Sequence, residues 1–121
     1  MGGSSDIGIE TIKLFLILGW QVSAHYNTNS NKLKNLSKKY RELILIKKNL
    51  NLIKNNNFKE LIKKKFNKKY DSFINLVGYV DNKKFDNTDL DSLFKVMKIK
   101  KFIPTLIMRE VLKKMLKKKW G

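Results

Sequence analysis

The residues whose types and spacing could do chemistry stand at the start of the chain. Met1-Gly2-Gly3-Ser4-Ser5-Asp6-Ile7-Gly8 sets three glycines and two serines ahead of an amphipathic stretch. Glycine lets a backbone turn tightly and approach a phosphate closely. Free N–H groups and the dipole at a helix N-terminus favour a bound anion such as a pyrophosphate. The hydroxyls of Ser4 and Ser5 can add donors. The spacing differs from Gly-x-Gly-x-x-Gly, and a flexible start followed by an Asp6-capped helix accounts for the same residues without any ligand. On the residues alone, both readings stand.

The remaining reactive groups are few. The chain has no Cys, which excludes disulfide scaffolds and thiolate metal sites. His25 is the single histidine, so a multi-histidine metal centre is excluded. It could touch a ribose near a strand end, but a bland surface role is the preferred reading. Tyr79 and Lys83 satisfy Tyr-x-x-x-Lys by spacing. That spacing brings the two groups together only on a helix, and Asp81-Asn82 reads as a turn, so the pair is set aside.

These groups need elements to position them. The 121 residues suit one domain of globular composition, with 42% hydrophobic and 31% charged residues. Ile9, Ile12, Phe15 and Leu16 predict a first helix, stopped at Gly19. Val22, Ala24 and Tyr26 predict a strand, and residues 31–40 a helix with Leu33, Leu36 and Tyr40 on one face. Residues 43–46 read as a buried strand, 57–66 as a basic amphipathic helix, and 73–77 as another buried strand. Thr88 and Asp91 approximate a capping box for a helix carrying Leu90, Leu93, Phe94 and Met97. Pro104 suits the first turn of a final helix running to about Lys118. Strands alternating with helices imply βαβ units, hence an α/β fold with a parallel sheet.

In this order the turn and its followers resemble the short-chain dehydrogenase/reductase family. The segment 1–8 is similar to that family's Thr-Gly-x-x-x-Gly-x-Gly loop, with Met1 in place of Thr and Asp6 in place of the middle Gly. Asn75-Leu76-Val77-Gly78 is similar to its Asn-Asn-Ala-Gly motif. The resemblance spans residues 1–121 and implies a Rossmann-like three-layer α/β/α domain, here without its first strand and its C-terminal half. It also implies an NAD(P)-dependent oxidoreductase transferring hydride between a nicotinamide cofactor and a carbonyl or alcohol. Gly2, Gly3, Ser4, Ser5 and Ile7 would face the pyrophosphate and its ribose. Asn49 and Leu50 would lie beside adenine, and Asn75 and Gly78 would line the cleft. Cofactor choice would fall just after the second strand, where His25, Tyr26, Asn27 and Thr28 offer no acid for a ribose 2′-OH. That tilts the cofactor to NADP over NAD.

The family's catalytic Ser, Tyr and Lys are expected beyond the chain's last residue, with residues 119–121 approaching a fifth strand. The family's catalytic Asn falls at Lys100. The reading is therefore a fragment or truncated product without turnover, whose sheet either carries a gap or lets the 73–77 strand slide into it, at the cost of stability.

Charge offers other readings. Twenty-seven basic residues against ten acids give +17, which raises a basic nucleic-acid or anionic-surface module as the alternative. Twenty-five of the basic residues are lysine and are spread along the chain, so no specific nucleic-acid partner is expected. A degenerate, non-catalytic partner of a complete family member is the third reading. Apolar runs are too short to span a bilayer and the start lacks a signal core, so no membrane and a cytoplasmic location are expected. The lysines at 113–119 read as the exposed side of the last helix. The resemblance makes the apolar stripe of that helix a possible homo-oligomer contact.

Overall fold

The computed structural model describes residues 1–80 and 82–118. Two compact units divide them. Unit 1 is Met1–Asn49 with Ile74–Leu76, and unit 2 is Leu50–Phe73 with Val77–Gly121.

Unit 1 runs α1 (Asp6–Ile17), β1 (Val22–Tyr26), α2 (Asn31–Lys39) and β2 (Leu43–Lys47). The two strands are parallel, in register from Val22 opposite Leu43 to Tyr26 opposite Lys47. α1 packs on β1 and α2 on β2. The core joins Ile9, Ile12 and Leu16 of α1 with Ala24 and Tyr26 of β1, Leu33 of α2 and Leu43 of β2. The three- and four-residue spacing on α1 and the two-residue spacing on β1 are what one face of each element requires. β2 is less buried than its apolar run predicts. Leu43 and Ile46 are buried, and Ile44 is exposed.

α1 ends as its sequence predicts. Gly19 has φ +80°, its N–H donates to the Leu16 carbonyl at 3.0 Å, and the Trp20 N–H donates to the Phe15 carbonyl at 2.9 Å. The Trp20 ring then meets Phe15 edge to face, with centroids 5.4 Å apart. The bond pair and the apolar contact together form a left-handed helix stop. Gly19→Ala meets no atom within 4 Å, so only backbone strain opposes it. That substitution is expected to cost about 1–2 kcal/mol in a urea titration.

The helix start differs from expectation. Ser5, not Asp6, is the N-cap: the Gly8 N–H donates to Ser5 Oγ at 3.0 Å. Both residue types cap well. Ser5 holds the extended φ/ψ that the cap position requires, whereas Asp6 already lies in the first turn.

The expected buried strand at 73–77 does not form. Ile74 and Asn75 are exposed, and Met1 bonds to the segment on both sides of Asn75: the Met1 amine donates to the Ile74 carbonyl, and the Leu76 N–H donates to the Met1 carbonyl at 3.0 Å. An apolar run becomes a ladder only where a neighbour supplies partners along its length. The Gly3 N–H in turn donates to the His25 carbonyl at 2.8 Å. Residues 1–3 therefore bond both to β1 and to Ile74–Leu76, which is neither the open gap nor the direct slide expected.

Unit 2 contains α3 (Asn55–Lys65), α4 (Leu90–Met97) and α5 (Ile103–Lys118), with short 3₁₀ turns at Leu50–Leu52 and Phe85–Asn87. α3 begins two residues before its predicted start. Asp89 caps α4 by accepting from the Ser92 N–H at 2.7 Å, in place of the expected Thr88–Asp91 box. Thr88 Oγ1 donates instead to the Lys84 carbonyl at 3.2 Å.

α4 and α5 are joined without a break by a π-helical turn at Lys98–Phe102. Pro104 lies in the first turn of α5, as expected, but the helix continues through it. Proline offers no N–H to the carbonyl four residues back and crowds it. The wider turn takes up that crowding, with the Ile103 N–H donating to the Lys98 carbonyl. Ile103, Ile107, Val111 and Met115 form the buried stripe of α5.

Candidate phosphate-binding turn

The glycine turn stands at the C-terminal end of β1, fixed there by the Gly3 to His25 bond. Gly2 adopts φ +77°, and its carbonyl accepts from the Ser5 N–H at 3.3 Å and from Ser5 Oγ at 3.0 Å. The Ser5 hydroxyl proton is thus committed inside the turn, so Ser5 holds the loop shape more than it offers a free donor. Among the described residues, the Asp6 and Ile7 N–H groups keep no protein acceptor, as the first turn of a helix dictates.

The close approach rests on two glycines. A Cβ on Gly8 would stand 2.5 Å from the Gly2 carbonyl oxygen and 2.9 Å from Gly3 C and Cα. A Cβ on Gly3 would stand 3.0 Å from Ile12 Cδ1 and 3.2 Å from Ala24 Cβ. The turn folds back on α1 so tightly that a Cβ at Gly8 would overlap backbone, and one at Gly3 would crowd Ile12 and Ala24. A backbone cradle of this kind, with N–H groups at its rim, fits a pyrophosphate.

Asp6 bears on that fit, since a carboxylate at a helix start would repel a phosphate. Its Oδ1 is 2.5 Å from Lys32 Nζ of α2. The ammonium hydrogen bond holds the Asp6 carboxyl below its usual range, and both groups are exposed. The pair brings a cation to the mouth of the turn and balances the acid.

The other expected contacts divide between the units. Asn27 is exposed and directly follows β1, Asn49 is half-buried just past β2, and Asn75 is exposed beside Met1. These three lie in unit 1 with the turn. Leu50 and Gly78 belong to unit 2, where Leu50 is buried at the start of a 3₁₀ turn and Gly78 is exposed with open space around it. Tyr79 and Lys83 lie outside the helices. Lys83 Nζ is 2.5 Å from Asp89, and the Tyr79 ring faces Lys95. Asp81 and residues 119–121 lie outside the described residues.

Residue-level reading missed three contributors: the packing role of Gly8, the Lys32 partner of Asp6, and the burial of His25. His25 is buried in β1, not set at the surface, and its Nε2–H donates to the Lys48 carbonyl at 2.8 Å. Strand alternation around Ala24 and Tyr26 was the available signal only for its neighbours. Burial pushes the His25 pKa down, against the opposing pull of the Lys48 carbonyl. A depressed folded pKa means that the unfolded chain binds the proton more readily. The contribution is whole above the ordinary histidine pKa of about 6.5 and is lost as pH falls below it. Urea midpoints are expected to drop between pH 7.5 and 5.5, with a flatter response in His25→Gln.

A family model for short chain dehydrogenase matches residues 1–121. A solved structure from Bacillus thuringiensis, assigned as a 3-oxoacyl-reductase, superposes with a TM-score of 0.79 at 19% identity. The match covers 99% of this chain and 52% of that one, so the chain spans about half the length of that structure. Among curated proteins, none matches. At this identity the superposition carries the fold: a partial Rossmann-like α/β arrangement with parallel strands. No helix among the described residues is long and apolar enough to cross a membrane.

Proposed function

Because the chain belongs to the short chain dehydrogenase family, we propose that residues 1–121 are the dinucleotide-binding part of an NAD(P)-dependent oxidoreductase. The observation that carries this reading is the side-chain-free cradle of Gly3 and Gly8 at the C-terminal end of β1. In open α/β sheets ligands sit in the crevice beyond that end of the strands.

The Asp6 and Ile7 N–H groups would hold the pyrophosphate, aided by the Ser4 hydroxyl. Ser5 would keep the loop in shape. Asn27 would meet the adenosine ribose, and the absence of an acid there favours NADP. Asn49 and Leu50 would flank adenine, and Asn75 and Gly78 would line the cleft. When bound, the nicotinamide supplies or accepts the hydride exchanged with a carbonyl or alcohol.

The family's Ser, Tyr and Lys match no positions in these 121 residues. Lys100, which lies in the π turn, would take the family's Asn position. A lysine ammonium donates and cannot accept a hydrogen bond, which alters that relay. Residues 1–121 are therefore expected to bind without turnover. Met108, Leu112 and Leu116 leave an exposed apolar stripe on α5 that would suit a contact between copies.

A thermal-shift titration tests the binding. NADPH is expected to raise the melting temperature saturably, by more than NADH at equal concentration. Ligand at about a hundred times its Kd adds about 2.7 kcal/mol to the folded state. An unchanged melting temperature at millimolar NADPH and NADH would overturn the reading.

A further inference from the structure

Unit 2 holds a cavity of about 750 Å³ between α3 and the α4–α5 helix. Its apolar wall is built from Ile53, Phe58, Ile62, Phe102 and Leu106. A volume of that order is what one small ligand occupies, and mostly apolar walls with a few placed charges are the usual lining of such sites.

The charges around it are lopsided. Lys54, Lys59, Lys98, Arg109 and Lys113 border the cavity against a single acid, Glu110. That acid is already used: its Oε1 accepts from Arg109 Nη2 and from Lys113 Nζ, each at 2.9 Å. Lys98 Nζ donates to the Asn51 carbonyl at 2.7 Å. Lys54 and Lys59 are exposed and, among the described residues, have no ion pair. An apolar trough thus opens beside two cations with no acid assigned to them.

We propose that this cavity binds a single-chain anionic amphiphile, an aliphatic tail with a carboxylate head. The tail lies against Phe58, Ile62, Phe102 and Leu106. The head meets Lys54 and Lys59. The volume favours one small molecule over a partner helix, and the charge balance favours an anion over a neutral or cationic amphiphile. The site lies wholly in unit 2 and is independent of the dinucleotide reading.

Dodecanoate below its micellar range is the probe, followed by calorimetry on the full chain, with dodecyltrimethylammonium as the opposite-charge control. The expected result is saturable one-to-one binding of dodecanoate and none of the ammonium. Lys54→Glu with Lys59→Glu should weaken dodecanoate at least tenfold, while Lys34→Glu with Lys38→Glu on α2 makes the same change in net charge and should leave it within twofold. Circular dichroism on each variant verifies that the helices are intact, and Phe58→Arg, which fills the trough with a cation, gives a second route to lost binding. Equal binding of both amphiphiles, equal losses in the two charge-reversed pairs, or capture of an acidic helical peptide with no dodecanoate binding would each overturn the proposal.

Discussion

Gly8→Ala is expected to destabilise unit 1 by about 1–3 kcal/mol, the usual cost of forcing extra volume into a packed site, and to remove the NADPH-dependent rise in melting temperature. The added Cβ would stand 2.5 Å from the Gly2 oxygen and 2.9 Å from two Gly3 backbone atoms. Backbone cannot swing aside as the end of a long side chain can. Relief requires the turn to lift off α1, which disturbs the Gly8 N–H bond to Ser5 and the bonds that Gly2 and Gly3 make. Gly78→Ala is the matched control, because a Cβ there meets nothing within 4 Å. It should leave stability nearly unchanged. Urea denaturation of both variants checks the pair for stability, and NADPH is added to the Gly8 variant and the parent alone, because Gly78 belongs to the proposed cleft. A Gly8 variant as stable and as responsive as the parent would remove the steric argument for the cradle.

Ile107→Ala is expected to cost about 2–5 kcal/mol, the range for emptying a fully buried aliphatic site. Ile107 has no exposed surface, and Val111 one turn on is 2% exposed. The hole left behind cannot collapse without moving α5. Leu112→Ala, on the same helix but 46% exposed, removes a similar number of atoms and should cost about 1 kcal/mol or less. Together the two separate burial from helix propensity, since both end in the same good helix former. Far-UV circular dichroism during urea titration reads the difference directly.

The sequence declared most elements of both units. α1, β1, α2 and β2 follow from apolar spacing and from Gly19, because those signals are local and the tertiary contacts agree with them. What failed to be legible depended on neighbours. The run at 73–77 has strand composition, yet a strand is completed by its partners, and the bonds it makes with Met1 do not extend into a ladder. Ser5 and Asp6 are both good caps, and the backbone path from Gly2 decides between them. Pro104 marked the first turn of a final helix, but whether the chain breaks before it or widens its turn depends on the packing that holds α4 and α5 together. At the site, the glycine motif marked the turn. The Asp6–Lys32 pair, 26 residues apart in sequence, and the trough beside Lys54 and Lys59 arise only on folding. Evenly spread lysines read as a solvated face until the fold sets two of them beside apolar walls.

The link between Met1 and Ile74 has a consequence for the order of assembly. Its partners are 73 residues apart, whereas β1 and β2 pair across a stretch that needs only α2 to close it. Distant closures carry a greater entropic penalty and come late in folding. The glycine loop should consequently be the last part of unit 1 to mature. In pulse-labelled hydrogen exchange, the Leu76 amide would gain protection after the amides of β1, and simultaneous protection would show that the loop matures together with the strands.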